Sequence, residues 1–101
     1  MIVQVIFTEQ AFRGLEEALA FIADKVSEEK LSEITTRILD RTDELKTQPY
    51  KGQQEPYLSH LSPNYRRLIE DHYKIIYRVE SNIVYIIDIF DSRQDPYKMR
   101  Y

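Results

Sequence analysis

The chain of 101 residues contains no cysteine, no tryptophan and only two glycines. Without cysteine there is no disulfide framework, no thiolate zinc site and no cysteine nucleophile, a composition that fits a reducing cytoplasm. Two glycines are too few for Gly-rich phosphate loops, and neither GxxxxGK(S/T), GxGxxG nor GxSxG occurs, so no cofactor is expected. No apolar run approaches the ~18 residues of a membrane span, and the N-terminal MIVQVIFTEQ lacks the basic n-region of a secretory leader. A cytoplasmic protein is the expectation. Positive charge is also in deficit: 14 Lys and Arg stand against 17 Asp and Glu, and a net charge of −3 argues against indiscriminate polyanion binding. The deficit is confined to one half. Residues 1–50 hold six cations against ten acids, residues 51–101 eight against seven, so a surface that handles anions belongs to the second half.

What is present is enough for one folded domain, residues 1–101. Hydrophobic residues make up 43%, and the twelve aromatics, eight of them tyrosine, exclude a disordered composition. The β-branched run IVQVIF reads as a strand. Thr8 is an N-cap candidate, and Phe12, Leu15, Leu19, Ile22 and Val26 recur at helical spacing, with Gly14 a weak point near the start. Ser27, ahead of Glu28 and Glu29, caps a second helix whose stripe is Leu31, Ile34, Ile38 and Leu45, with Leu39 beside it. Two helices with almost no loop between them form an antiparallel hairpin. A polar connection over 48–63 follows, containing Pro49, Gly52, Pro56 and Pro63. Tyr65–Ile69, Tyr73–Val79 and Ile83–Phe90 then read as three antiparallel strands split at Glu70-Asp71-His72 and Ser81-Asn82. The fold class is α+β, with helices on one face of the sheet.

A three-residue loop Glu80-Ser81-Asn82 would put Tyr73, Ile75, Tyr77, Val79, Ile83, Tyr85, Ile87 and Ile89 on the helix-covered face. Lys74, Ile76, Arg78, Val84, Ile86, Asp88 and Phe90 would then lie on the other. A two-residue loop would mix these sets and bury Arg78 or Asp88, which is costly without a partner.

The chemistry-bearing residues are few. Arg66, Arg67, Lys74, Arg78, Arg93, Lys98 and Arg100 alternate with Tyr65, Tyr73, Tyr77, Tyr97 and Tyr101, a pattern suited to phosphate or carboxylate recognition. Its simplest reading is a solvated sheet face with Arg78 and Asp88 as a cross-strand pair. His60 and His72 have no metal-ligand spacing and read as surface residues. Asp88, Asp91 and Asp95 sit on a strand and its exit, pointing different ways, and a metal site is not expected.

The order strand, helical hairpin and three strands, with "LKTQPYKG" and "YRRLIEDHYKIIYRVESNIVYIIDIFDSRQDP", resembles the RelE/ParE superfamily of type II toxin–antitoxin modules over nearly the whole chain. The resemblance implies a toxin that inhibits growth, is neutralised by a cognate antitoxin and can assemble with it as a hetero-oligomer. RelE-like members cut mRNA on the ribosome without a metal; ParE-like members poison DNA gyrase. Mapped onto this sequence, the nuclease pattern finds Arg66, Lys74, Arg93 and, with a local shift, Tyr97. Its second strand lysine falls on Leu68, its tyrosine on Met99, and Lys74 cannot make the bidentate fork of an arginine. These departures favour a ParE-like binder, with Arg66, Lys74, Arg78, Arg93 and Lys98 as partner-binding residues. The alternatives are a ribosome-dependent endonuclease, or a non-toxic member that retains only antitoxin binding.

Overall fold

A computed structural model describes residues 2–101. Strand β1 (Gln4–Phe7) leads into helices α1 (Glu9–Ile22) and α2 (Glu28–Asp43), and strands β2 (Gln53–Gln54), β3 (Tyr65–Glu70), β4 (Tyr73–Glu80) and β5 (Ile83–Asp91) complete the chain. The sheet order is β1-β5-β4-β3-β2, with β1 parallel to β5 and the other pairs antiparallel. The α+β expectation, with the helices on one face, holds. None of the helices is long and apolar enough to cross a membrane.

Thr8 ends the first strand and starts the first helix. Its hydroxyl accepts from the Ala11 amide at 3.2 Å and donates to the Ile86 carbonyl at 2.6 Å, so one side chain caps α1 and ties it to β5. Ser27 caps α2 in the same way by accepting from the Lys30 amide. Leu15, Ile22 and Ile38 of the expected stripes are buried, whereas Phe12 is half exposed against Phe7 and Leu39 faces solvent. Small residues do the rest: Ala11, Gly14 and Ala18 are buried and let α1 lie directly on β5. A Cβ on Gly14 would come within 2.8 Å of the Ile89 carbonyl and closer still to the Asp88 carboxylate. Gly14→Ala gains about 1 kcal/mol of helix propensity, but overpacking against backbone costs about 1–3 kcal/mol. The substitution is therefore expected to lower the melting temperature; a rise would refute the close-contact argument.

The register differs from the sequence expectation. Glu80 pairs with Ile83 across a two-residue turn, Ser81 and Asn82, whose φ values of +51° and +64° have the type I′ pattern. Val84 and Ile86 consequently face the helices with Val79 and Tyr77, while Tyr85 and Ile87 lie on the other face. A bulge then resets the alternation: Tyr77 opposes Ile86 but Ile76 opposes Asp88, so Ile89 returns to the helix side with Ile75. The expected penalty is real, since Asp88 is fully buried. Its partner is Arg100. Asp88 and Arg78 make no cross-strand pair, because Arg78 stands opposite Tyr85.

The second face of the sheet is not bare. Leu58, from the 3-10 turn Pro56–Leu58, and Met99, near the C-terminus, pack on Tyr65, Ile76, Ile87 and Phe90 as a smaller core. The connection 48–63 is thus a built segment that carries β2 and this turn.

Candidate functional site

Strand alternation distributes the cations. Odd-numbered residues of β4 face the helices, so Lys74 and Arg78 lie on the second face, roughly 13 Å apart at the rise of an extended strand. On β3, Arg67 opposes Ile76 and joins them, whereas Arg66 opposes Tyr77 and faces the helix side. Arg66 donates to the Gly52 carbonyl at 2.8 Å and lies 5.2 Å from the Tyr50 ring. Arg66 and Lys74 are therefore on opposite faces.

Lys74 is held by a carboxylate that sequence reasoning passed over. Glu55 is fully buried, its Oε1 2.7 Å from Lys74 Nζ and its Oε2 3.5 Å from Arg67 Nη1. Glu55 also caps the Pro56–Leu58 turn by accepting from the Tyr57 amide, and Lys74 Nζ lies 5.2 Å from the Tyr57 ring. Arg67 adds a hydrogen bond to the Gln54 carbonyl at 2.9 Å. One acid thus fixes two cations and fastens the covering loop to the sheet. In sequence, Glu55 is one more charge in a polar loop; only its place beside β2 brings it over Lys74.

Arg78 is the more accessible member of the stripe. Its guanidinium lies 5.4 Å from the Tyr85 ring and its Nε 3.4 Å from Glu80. With Ser62, Asn64, Tyr65 and Val79 it lines an open groove of about 270 Å³. Lys98 is exposed and makes no ion pair among the described residues, and the neighbouring Tyr97 is 90% exposed. Arg93, at the exit of β5, forks onto Asp91 through Nε at 2.9 Å and Nη2 at 2.7 Å. This hydrogen-bonded pair lowers the Asp91 pKa and raises that of Arg93, while burial, with Asp91 nearby, raises that of Tyr73. Arg100 donates its amide to Asp88 at 3.1 Å and its Nη2 to Glu17 at 2.6 Å. Asp88, Asp91 and Asp95 each serve a separate partner, Arg100, Arg93 and the Tyr97 amide. Among the described residues no group of three acids or histidines converges as metal ligands do.

These features define a small α+β domain whose second sheet face carries cations pre-paired with its own acids. In sequence, residues 5–96 match the family described as the ParE toxin of the type II toxin–antitoxin system parDE, and the chain belongs to that family. A solved chain described as the chromosomal ParDE toxin–antitoxin system from P. aeruginosa superposes with a TM-score of 0.75 at 16% identity, covering 89% of this chain and 96% of that one. That likeness is one of fold. No curated protein matches the chain.

Proposed function

We propose that this toxin-family member acts in the cytoplasm by binding and inhibiting a macromolecular target, DNA gyrase, and that a cognate antitoxin neutralises it. One observation carries the choice of binding over RNA cleavage. The residues matching the nuclease pattern are dispersed, with Arg66 on the helix side, Lys74 clasped by Glu55 on the other face, and Tyr97 in solvent. Metal-free RNA cleavage needs a base for the 2′-hydroxyl, cations for the phosphorane and an acid for the leaving oxygen at one point. Inhibition by contact needs only an exposed, fixed surface. Arg78 on the groove and Lys98 on the tail are the cations best placed for it; Lys74, Arg93 and Arg66 hold the scaffold through Glu55, Asp91 and Gly52.

A gyrase supercoiling assay run beside a translation-coupled mRNA cleavage assay tests the reading. The expected result is loss of supercoiling without cleavage, weakened about tenfold in Arg78→Ala/Lys98→Ala, as the loss of two modest contacts would give. Expression alone should arrest growth, and co-expression of the antitoxin from the neighbouring frame should relieve the arrest. Cleavage at the ribosomal A site with gyrase unaffected would overturn the reading in favour of a nuclease. Tight antitoxin binding without growth arrest would mark a non-toxic member.

A further inference from the structure

We infer that the free edge of β1 is a self-association surface, on which a second copy of this chain pairs its own β1 in antiparallel register about a two-fold axis at Ile6. The inference stands apart from the target reading, which concerns Arg78 and Lys98. In the sheet order β1-β5-β4-β3-β2, β1 has a neighbouring strand on one side only. The Thr8 amide donates to the Ile86 carbonyl, so alternation turns the backbone groups of Gln4 and Ile6 toward β5 and those of Val3, Val5 and Phe7 away from it. The outward Val3 amide is taken by the Lys46 carbonyl at 2.8 Å. Val5 and Phe7 have no backbone partner on that side among the described residues, and unpaired backbone groups of this kind must reach water.

The edge is its own complement. Placing Ile6 on the axis sets Val5 opposite Phe7 of the second copy and Phe7 opposite its Val5, and each pair exchanges both of its N–H···O bonds. This is the register that the Lys46 carbonyl leaves open, because a shift that centred Val5 would need the occupied Val3 amide. The side chains agree. Val5 and Phe7 lie on the helix side, where the half-exposed Phe12 ring packs on Phe7 at 4.6 Å, giving aromatic on β-branched pairs across the axis. Ile6 lies on the other face beside Tyr85 and meets its own image. Strand edges that stay single are commonly guarded by lysine, proline or a bulge, and Gln4–Phe7 has none of these. No charged group lies on the strand, and the net charge of −3 on each copy opposes association only weakly once salt screens it. The axis stands perpendicular to the sheet. Both Arg78 side chains, two strands in from Ile6 through Tyr85, would therefore share one side of the dimer about 24 Å apart, at the spacing of neighbouring strands.

Sedimentation equilibrium of the full chain at concentrations up to about 1 mM, with amide spectra over the same range, is the test. The expected result is a monomer–dimer equilibrium with Kd on the order of 0.1 mM, since the contact is much smaller than a standard interface. Concentration-dependent shifts should centre on Val5, Ile6 and Phe7. Ile6→Lys and Ile6→Glu, each placing like charges on the axis, should each raise Kd about tenfold, whereas an equimolar mixture of the two should dimerise again. A chain that stays monomeric at about 1 mM would overturn the inference. So would a dimer that Ile6→Lys leaves intact, or a mixture that stays monomeric while both variants are folded. If either variant fails to fold, the parent's amide shifts decide, and two results overturn the inference. Shifts centred away from β1 would mean another interface, and movement of Val5 and Phe7 only on adding an unrelated valine–threonine peptide would mean that the edge takes a foreign strand.

Discussion

Lys74→Met is expected to lower the melting temperature by more than about 10 °C, because it strips a fully buried carboxylate of its nearest cation. Removing one partner of a buried pair costs about 3–5 kcal/mol. Here Arg67 remains, with Nη1 3.5 Å from Glu55, so the lower end applies. For a domain of this size 1 kcal/mol corresponds to about 4–8 °C. The double variant Glu55→Leu/Lys74→Met should recover most of the loss, since an apolar replacement of the whole pair removes the desolvation cost along with the attraction. Thermal unfolding of both variants at neutral pH is the measurement. If Lys74→Met melts within a degree or two of the parent, Glu55 is solvated and does not clamp the loop.

The same clamp explains why cations that read as a contact surface serve first as structure. Exposed pairs such as Glu9–Arg13 and Glu33–Arg37 on the helices add little and are screened by salt. Glu55 differs because its oxygens have nowhere else to turn. Pinning it holds the Pro56–Leu58 turn, and with it Leu58, over the second face. A domain with −3 net charge can in this way keep a fixed arrangement of arginines and lysines without becoming a general polyanion binder.

The architecture was readable because its signals are local. Thr8 and Ser27 are both caps, the large apolar residues of α1 and α2 follow helical spacing, and the three long strands are Tyr-, Ile- and Val-rich. The close face of α1 was not, since hydrophobic periodicity marks large side chains whereas the contact with β5 uses Ala11, Gly14 and Ala18. The β4–β5 register went astray for a related reason. Glu80-Ser81-Asn82 suits either loop length, and the deciding feature is a bulge at Ile87, which no local pattern announces. Among the site residues, Arg66 and Arg67 must face opposite ways by strand alternation alone. Glu55 and Arg100, by contrast, gain their roles from partners 19 and 12 residues away. The one legible hint was Asp88, a charge inside the run YIIDIF, which called for a partner without naming it.

That partner makes Arg100→Ala the other substitution with a large expected effect, about 3 kcal/mol at pH 7 by the same penalty for an unpaired buried charge. Asp88 is enclosed by Gly14 of α1, the bulge of β5 and the Arg100 segment, and among the described residues the only charged group meeting it directly is the Arg100 guanidinium, whose other arm rests on Glu17. Burial raises the Asp88 pKa, while the Arg100 amide, charge and guanidinium pull it part of the way back. A carboxylate with a raised folded pKa favours the native state most below its unfolded value of about 4, and this contribution is lost as pH rises through the folded value. Removing Arg100 raises that folded value further. The cost of Arg100→Ala should therefore be largest at pH 7 and shrink as pH falls, because the orphaned Asp88 is protonated more readily than in the parent. Asp91, with a pKa lowered by Arg93, has the opposite sign: its contribution is present above about pH 4 and fades as pH falls through its lowered value. Asp88→Asn should thus lose ground to the parent as pH drops from 7 toward 4, whereas Asp91→Asn should gain it only as pH drops below about 4. Melting curves of the three variants from pH 7 to below 4 are the test, and a pH-independent cost of Arg100→Ala would mean that Asp88 is not the group it neutralises. Because Arg100 sits two residues beyond Lys98, with Met99 buried between, the same variant should also loosen the tail and weaken the proposed inhibition of gyrase. Unchanged inhibition by an Arg100→Ala protein kept below its melting point would remove the tail from the proposed contact surface and leave Arg78 alone.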